Sequence, residues 1–189
     1  ASEFDHGIGV YGYNDSTGEL VFIDNHLEPE HNDSWYNAVE VISLSEDGNT
    51  LYAATYKNGK LSVYNRDSIT GNLTLIEEFE NGVGGVDGLD SISYITVSPD
   101  GKHVYCAGKN DDAISVFSRD TGTGELTFLE MQYDAANFSN VYSIKFSPDS
   151  NYLFIANSNK LFVYSRDSMS GHLTYVETEE NGVDGVDNI

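Results

Sequence analysis

The sequence predicts an all-β fold: a β-propeller arc of about three and a half four-stranded antiparallel blades, part of a seven-bladed ring. Three observations predict it. A turn signature recurs four times, as Val10-Tyr11…Thr17-Gly18-Glu19-Leu20, Val63-Tyr64…Thr70-Gly71-Asn72-Leu73, Val116-Phe117…Thr123-Gly124-Glu125-Leu126 and Val163-Tyr164…Ser170-Gly171-His172-Leu173. Its glycines are spaced by 53, 53 and 47 residues. A second signature recurs three times, as Leu44-Ser45-Glu46-Asp47-Gly48, Val97-Ser98-Pro99-Asp100-Gly101 and Phe146-Ser147-Pro148-Asp149-Ser150. Between the turns, short runs of Val, Ile, Tyr, Phe and Thr suit a pleated, half-buried surface, and no run has helical spacing. A repeat of about 50 residues with four strands is the period of a propeller blade.

The elements follow in order. Gly7 to Tyr13 and Leu20 to Asn25 read as the third and fourth strands of a blade without its inner pair, so residues 1–38 supply an outer strand pair plus a linker. Residues 39–90, 91–140 and 141–189 each read as a whole blade, all in one propeller domain. In the middle blade, alternation gives a first strand over Ile92 to Val97, and Ser98-Pro99-Asp100-Gly101 turns the chain, Pro presetting φ and Gly allowing φ > 0. A second strand runs from His103 to Gly108, a third from Ala113 to Ser118 and a fourth from Leu126 to Met131. A blade buries neither face alone, so its neighbours must pack on it. The opening half-blade therefore calls for inner strands from a second propeller half or a continuation of the chain, making a protein partner, in a homo- or hetero-oligomer, the expectation.

Composition narrows the partners. Thirty-one Asp and Glu against nine Lys and Arg give a formal net charge of -22. Nucleic acid needs basic surface to replace its counterions, so none is expected as a partner. No apolar stretch approaches the ~18 residues of a membrane span, so no membrane insertion is expected. The acidic surface fits salty or Ca²⁺-containing surroundings, and an extracellular or periplasmic location is expected. Cys106 is the single cysteine and lies in the apolar run Val104-Tyr105-Cys106-Ala107, the setting of a buried structural thiol.

The units Val97-Ser98-Pro99-Asp100-Gly101-Lys102-His103-Val104-Tyr105 and Ile114-Ser115-Val116-Phe117-Ser118-Arg119-Asp120 resemble the lactonase-like seven-bladed propeller superfamily, which includes 6-phosphogluconolactonase-type enzymes and YVTN-repeat surface proteins. The linker Asn81 to Asp90 and its echo Asn181 to Asp187 are similar to those of bacterial members with many such blades. The resemblance runs along nearly the whole chain from Gly7. It implies the ring. For the enzymes of the superfamily it implies His, Arg and acidic residues at the ring centre, roles that the repeat motifs assign to no position here.

Comparing the repeats locates a candidate face. The turns between first and second strands, and between third and fourth, are near copies. The second-to-third hairpins and the fourth-to-first linkers vary, and in a propeller those two loop sets share one face. Divergent loops on a rigid scaffold are where recognition lives. Trp35, Tyr36, Tyr133 and Phe138 fall in these linkers, as anchors for a partner or as plugs between blades. Asp87, Asp90, Asp184 and Asp187 sit in Gly-rich linkers and are candidate Ca²⁺ ligands, Ca²⁺ being the one cofactor expected. His26, Glu28, Glu30 and His31 form a His-x-Glu-x-Glu-His array that could hold a transition metal, against the simpler reading of a solvated acidic loop. Arg66, Arg119 and Arg166 each precede an Asp at one repeat position, which indicates structure: the Asp bonding turn amides, the Arg pairing across the blade edge.

No catalytic residue is assigned. The leading expectation is a non-enzymatic binding module that presents its variable loop face. The alternatives are a lactonase-like hydrolase whose site forms only in the complete ring, and a structural or assembly subunit whose open edges recruit another chain.

Overall fold

The computed structural model describes residues 7–27, 39–55, 59–133, 138 and 140–182. They form fourteen strands in four antiparallel sheets. β1 (Gly7–Tyr13) and β2 (Leu20–Leu27) make a two-stranded half-blade. β3 (Val39–Leu44), β4 (Thr50–Thr55), β5 (Lys60–Arg66) and β6 (Leu73–Glu80) make the first full blade. β7 (Ile92–Val97), β8 (His103–Gly108), β9 (Ala113–Arg119) and β10 (Leu126–Tyr133) make the second, and β11 (Ser143–Phe146), β12 (Tyr152–Ala156), β13 (Lys160–Arg166) and β14 (Leu173–Glu180) the third. Each full sheet is a meander from first to fourth strand. β3, β7 and β11 lie at the inner edge, with β7 packed beside both of the others.

Three predicted boundaries move, the first by one residue: β9 runs to Arg119, which faces Leu126. β2 and β10 each continue two residues beyond the alternating run, to Leu27 and Tyr133. The reason is cross-strand pairing: Leu27 faces Gly7 and Tyr133 faces Ala113, so the ladder carries the polar ends of both strands. Tyr133, expected in a linker, is therefore the last residue of a strand.

The core is not inside the blades but between them. Ile92, Ile95, Val104, Cys106, Phe117 and Leu126 of the second blade pack on Tyr52, Ala54, Leu61 and Val63 of the first, with Val86 and Leu89 of the linker sealing the end. Ile144, Leu153, Ile155, Phe162 and Leu173 of the third blade pack in the same way on Tyr105, Ala107, Ile114 and Val116 of the second. Burial pushes the Cys106 thiol up in pKa, as fits an inert apolar side chain. The joint between half-blade and first blade is smaller, built from Ile8 against Val39, Leu51, Ala53 and Tyr64. There Ile42 is 42% exposed, whereas its repeat equivalents Ile95 and Ile144 are 5% and 0% exposed.

A second device fixes each full joint. The arginine closing a blade's third strand reaches back into the preceding blade. Arg119 donates from Nε to Tyr52 Oη (2.7 Å) and from Nη2 to Thr50 Oγ1 (2.9 Å) and Asp47 Oδ2 (3.2 Å). Arg166 repeats this, Nε to Tyr105 Oη (3.0 Å) and Nη2 to both Asp100 carboxylate oxygens (2.9 Å each) and His103 Nδ1 (2.8 Å). The Asp after each arginine caps the next turn, Asp67 accepting from the amides of Ile69 and Thr70, and Asp120 and Asp167 doing the same one and two blades on. Gly124 (φ 83°) and Gly171 (φ 80°) in those turns are needed twice: for the left-handed backbone, and because a Cβ there would collide with Thr50 and with the His103 ring of the preceding blade. A further bond ties the outer edge, Glu130 Oε1 accepting from the Leu173 amide at 2.9 Å, as Glu77 does from the Leu126 amide.

Two outcomes follow from the clasp. Arg119→Gln leaves the buried Tyr52 and Thr50 hydroxyls without their partner and should cost about 3 kcal/mol, read by urea unfolding. Arg66→Gln, whose arginine bonds only the Gly48 carbonyl among the described residues, should cost under about 1 kcal/mol. A similar loss in both variants would refute the clasp.

The clasp also sets an acid limit. Burial opposes ionisation of Asp100, but the Ser98 hydroxyl, the Arg166 fork and the Lys102 amide outweigh it and lower its pKa from 3.8 to about 2. Burial, then the Arg166 charge, lowers that of His103 below 6.5. Both are depressed in the fold, so the unfolded chain takes up each proton first and stability falls as pH falls. Melting temperature should decline below pH 6.5 as His103 is forced to charge, and again between about pH 4 and 2. Asp100→Asn should make the second limb shallower and, by removing the carboxylate that supports a charged His103, deepen the first.

Candidate functional site

The inner strands begin at the face carrying the linkers and the second-to-third hairpins. The linker before β7 is held down tightly. Gly88 and Gly108 meet backbone to backbone, where a Cβ on Gly108 would overlap the Gly88 carbonyl, and Ser115 Oγ donates to the Asp87 carbonyl at 2.7 Å. The chain then turns into β7 through Ser91, a non-glycine residue with φ 56°, and into β11 through Asn140 with φ 57°. Such conformations are uncommon for side-chain-bearing residues and cost free energy that the surroundings must offset. At Ser91 they do so by hydrogen bonds: the Asn110 Nδ2 donates to Ser91 Oγ (2.8 Å) and the Lys109 amide to the Ser91 carbonyl (3.0 Å).

One residue past that turn, the inner strand bulges. Val39 faces Thr55 and Val41 faces Ala54, so Glu40 is the extra residue of one bulge; Ile92 faces Gly108 and Tyr94 faces Ala107, so Ser93 is the extra residue of the next. In the third blade Tyr142 holds the equivalent position, just before β11, its amide donating to the Ala156 carbonyl. Bulges re-aim a side chain and gather next to functional sites. The outer strands bulge too, at Ile23, Ile76, Leu129 and Val176, all aliphatic. The inner positions carry a carboxylate, a hydroxyl and a phenol: Glu40 and Tyr142 are exposed, and Ser93 is half-buried with Oγ donating to the Val141 carbonyl at 2.8 Å. Glu40 is the single acidic and Lys145 the single basic residue of the three inner strands. Lys145 is exposed on β11, with Nζ 5.8 Å from the ring centroid of Tyr94 on β7, so its charge leans across the gap between two inner strands.

The residues singled out by sequence fall elsewhere. Asp87 is exposed and bonds the Gly88 amide; Asp90 is half-buried, with its amide donating to Asp111 Oδ2 at 2.8 Å and its carboxylate accepting from Ser91 and Asn110. Both organise the linker. Tyr133 is exposed at the end of β10. Phe138 is 1% exposed and packs edge-on against Phe162 and tilted against Tyr164, which is the plug of the two roles open to it. Trp35, Tyr36, Glu28, Glu30, His31, Asp184 and Asp187 lie outside the described residues, and His26 is placed only as a β2 residue opposite Ile8. Among the described residues no three His, Cys, Asp or Glu side chains converge as a metal cage. Glu40, Ser93, Tyr142 and Lys145 were missed by sequence reading. The usable signal was their divergence at repeat positions flanked by the constant Ile42, Ile95 and Ile144.

The family model for the lactonase seven-bladed β-propeller matches residues 81–186. The chain belongs to that family. A curated relative, the "Probable 6-phosphogluconolactonase" of Arthroderma benhamiae, is 34% identical over 101 residues, which is 50% of this chain and 24% of that protein. Among solved structures, a putative 6-phosphogluconolactonase from Bacteroides uniformis superposes with a TM-score of 0.78 at 21% identity, over 97% of this chain and 50% of that one. The periplasmic gluconolactonase of Pseudomonas aeruginosa superposes with a TM-score of 0.75 at 22% identity, over 93% and 48%. The chain thus spans about half the length of these structures, as an arc of the ring. These relatives correct the leading expectation from sequence, a non-enzymatic binding module, in favour of its hydrolase alternative. The binding reading rested on the divergence of the loops, which marks a functional face without telling binding from catalysis.

Gly108→Ala tests the support of this site. The added methyl must displace the Gly88–Leu89 backbone, so the variant should lose about 2 kcal/mol and the Ser91 and Lys109 amides should exchange faster in hydrogen-exchange mass spectrometry. Unchanged exchange there would separate the linker from the strand beneath it.

Proposed function

We propose that this lactonase-family arc contributes to the site of a hydrolase for small sugar lactones, a site completed by the rest of the ring. The observation that carries the proposal is the set of polar, divergent bulge residues at the loop-face end of the inner strands, in a chain whose curated relative is named a probable 6-phosphogluconolactonase.

In this reading Glu40 is the general base. It takes a proton from water as the water oxygen adds to the lactone carbonyl, and the tetrahedral adduct then breaks its ring C–O bond. The proton passes to the departing alkoxide, giving the open hydroxy acid. Lys145, on β11 and separated from Glu40 by β7, supplies the positive charge that an anionic sugar lactone needs in an otherwise acidic chain. Tyr142 and Ser93 offer hydroxyls for orientation. A polypeptide that completes the ring, and a compartment outside the cytoplasm, belong to the same proposal.

The test is pH-stat hydrolysis of 6-phosphoglucono-δ-lactone by the complete ring containing this segment. Glu40→Gln should lower kcat by about 100-fold or more with KM little changed. Lys145→Met should raise KM, and more for the phosphorylated lactone than for glucono-δ-lactone. Wild-type rates in both variants would remove these residues from the site.

A further inference from the structure

Two consecutive residues of β7 reach toward the same neighbour. In a regular strand, successive side chains point to opposite faces. On β7, Ile92 and Ile95 pack in the core cluster shared with the first blade. Between them, Ser93 and Tyr94 both make their contacts with the third blade. Ser93 Oγ donates to the Val141 carbonyl at 2.8 Å. Tyr94 packs against the core cluster between the second and third blades, and Lys145 Nζ lies over its ring, 5.8 Å from the centroid. The bulge at Ser93 permits this, because its extra residue breaks the alternation. β7 therefore grips the third blade's inner strand at two points, the backbone just before Tyr142 and the ammonium of Lys145.

The second grip has an electrostatic consequence. Lys60 and Lys160 are paired with the carboxylates of Glu78 and Glu180, which cancel their charge locally. Lys145 makes no ion pair among the described residues; its ammonium rests on an aromatic face instead. A ring face attracts a cation through its quadrupole and carries no net charge. The lysine is thus oriented while its full positive charge stays available to an external anion. Without the ring, a long and exposed lysine side chain keeps its rotamer freedom and has to surrender it on binding. Tyr94 suits the task because it is half-buried and held by the core cluster beneath it. The pair belongs to this joint alone among the full blades. Val41 stands at the repeat position of Tyr94 in the first blade, and Ser43 and Thr96 stand at that of Lys145. In a chain of net charge -22, an anion needs such a local exception to approach the inner edge.

We propose that Lys145, steadied by the face of Tyr94, is the subsite for the phosphate of a phosphorylated sugar lactone, with Tyr94 as its positioning residue. Tyr94 acts through the lysine. Its ring holds the ammonium and its hydroxyl is not needed for that, so phenylalanine replaces it and leucine does not. Ser93 serves the same end through the backbone, by tying β7 to the residue that leads into β11. The inference rests on the hydrolase reading and adds to it the residue that decides between phosphorylated and neutral lactones.

The test uses the complete ring containing this segment, with carbon-13-labelled lysine. The Lys145 ε-methylene signal is identified by its loss in Lys145→Met. It should be shifted upfield by the ring in the wild type and in Tyr94→Phe, and should return to the position of a solvated lysine in Tyr94→Leu. Inorganic phosphate should move it on titration, and Tyr94→Leu should weaken that binding about fivefold. In pH-stat assays Tyr94→Leu should raise KM for 6-phosphoglucono-δ-lactone about fivefold with kcat little changed, and leave KM for glucono-δ-lactone at the wild-type value. Tyr94→Phe should match the wild type on both. An unshifted Lys145 signal in the wild type overturns the proposal. So does an equal rise in KM for the two lactones in Tyr94→Leu, which marks a purely structural role. Turnover of neither lactone, with phosphate binding still dependent on Tyr94, would remove the hydrolase reading and keep the anion subsite.

Discussion

The fold depends on a blade being unable to bury its own faces. A four-stranded meander has two apolar sides and no second layer of its own, so each full sheet here depends on the sheet packed against it. The arginine clasp gives that stacking a direction and a registration. Apolar faces of similar sheets could slide by a residue pair at modest cost, but a guanidinium held by a tyrosine hydroxyl, a carboxylate and a third polar atom cannot. The clasp always runs from the end of one third strand to the first turn and second strand of the blade before. The outer glutamate bonds run the opposite way, Glu130 reaching forward to the Leu173 amide. Each of the two full joints is therefore pinned by two groups of different chemistry, and a reversed or shifted neighbour satisfies neither.

This arrangement explains how a chain of net charge -22 keeps a compact form. Three of its nine basic residues are spent at the clasp position, and at the two complete joints each arginine is nearly dehydrated beside a carboxylate. A buried arginine without its acid would be costly, and so would a buried tyrosine hydroxyl without its donor. Each offsets the other's desolvation. Burial pushes both Tyr52 and Tyr105 up to about 12 in pKa, the neighbouring arginine charge pulling the other way. They remain neutral hydroxyls that accept from the arginine; Tyr105 also donates onward to the Gly171 carbonyl at 2.8 Å. The surplus acids stay at the surface, where water and salt screen them.

The architecture was legible because a repeat writes the same local chemistry several times. The turns after Val97 and Val116 could be read from one blade and checked against the next, and the strand limits for β7 and β8 came out as observed. The Arg-Asp dipeptides were read correctly as structural for the same reason. Their partners were not legible: Arg119 meets Tyr52 across 67 residues, and nothing local marks a tyrosine on a second strand as an acceptor rather than a core residue. Burial of Phe138 was equally hidden, since a linker aromatic faces solvent or core according to a neighbour that the linker does not contain. The candidate site was least legible. Glu40 and Ser93 look like ordinary strand-start residues until pairing shows that each is the extra residue of a bulge.

The contrast between the two sets of bulges separates folding from function within one repeat. The outer bulges keep aliphatic side chains in every blade, as required if the strand must bend there and still pack on a neighbour. The two inner bulges keep the bend and change the side chain from carboxylate to hydroxyl, and the third blade carries a phenol at the equivalent position just before its inner strand. Packing does not demand that variety, because the adjacent positions Ile42, Ile95 and Ile144 keep one residue type. A ring built this way offers one re-aimed, freely chosen side chain per blade at the inner edge of a single face. In the second blade that side chain sits on a strand fixed from both sides and follows a strained turn anchored by its own hydrogen bonds. A site assembled from such positions takes one group from each of several blades, so its chemistry is a property of the ring, and an arc can carry no more than its own share.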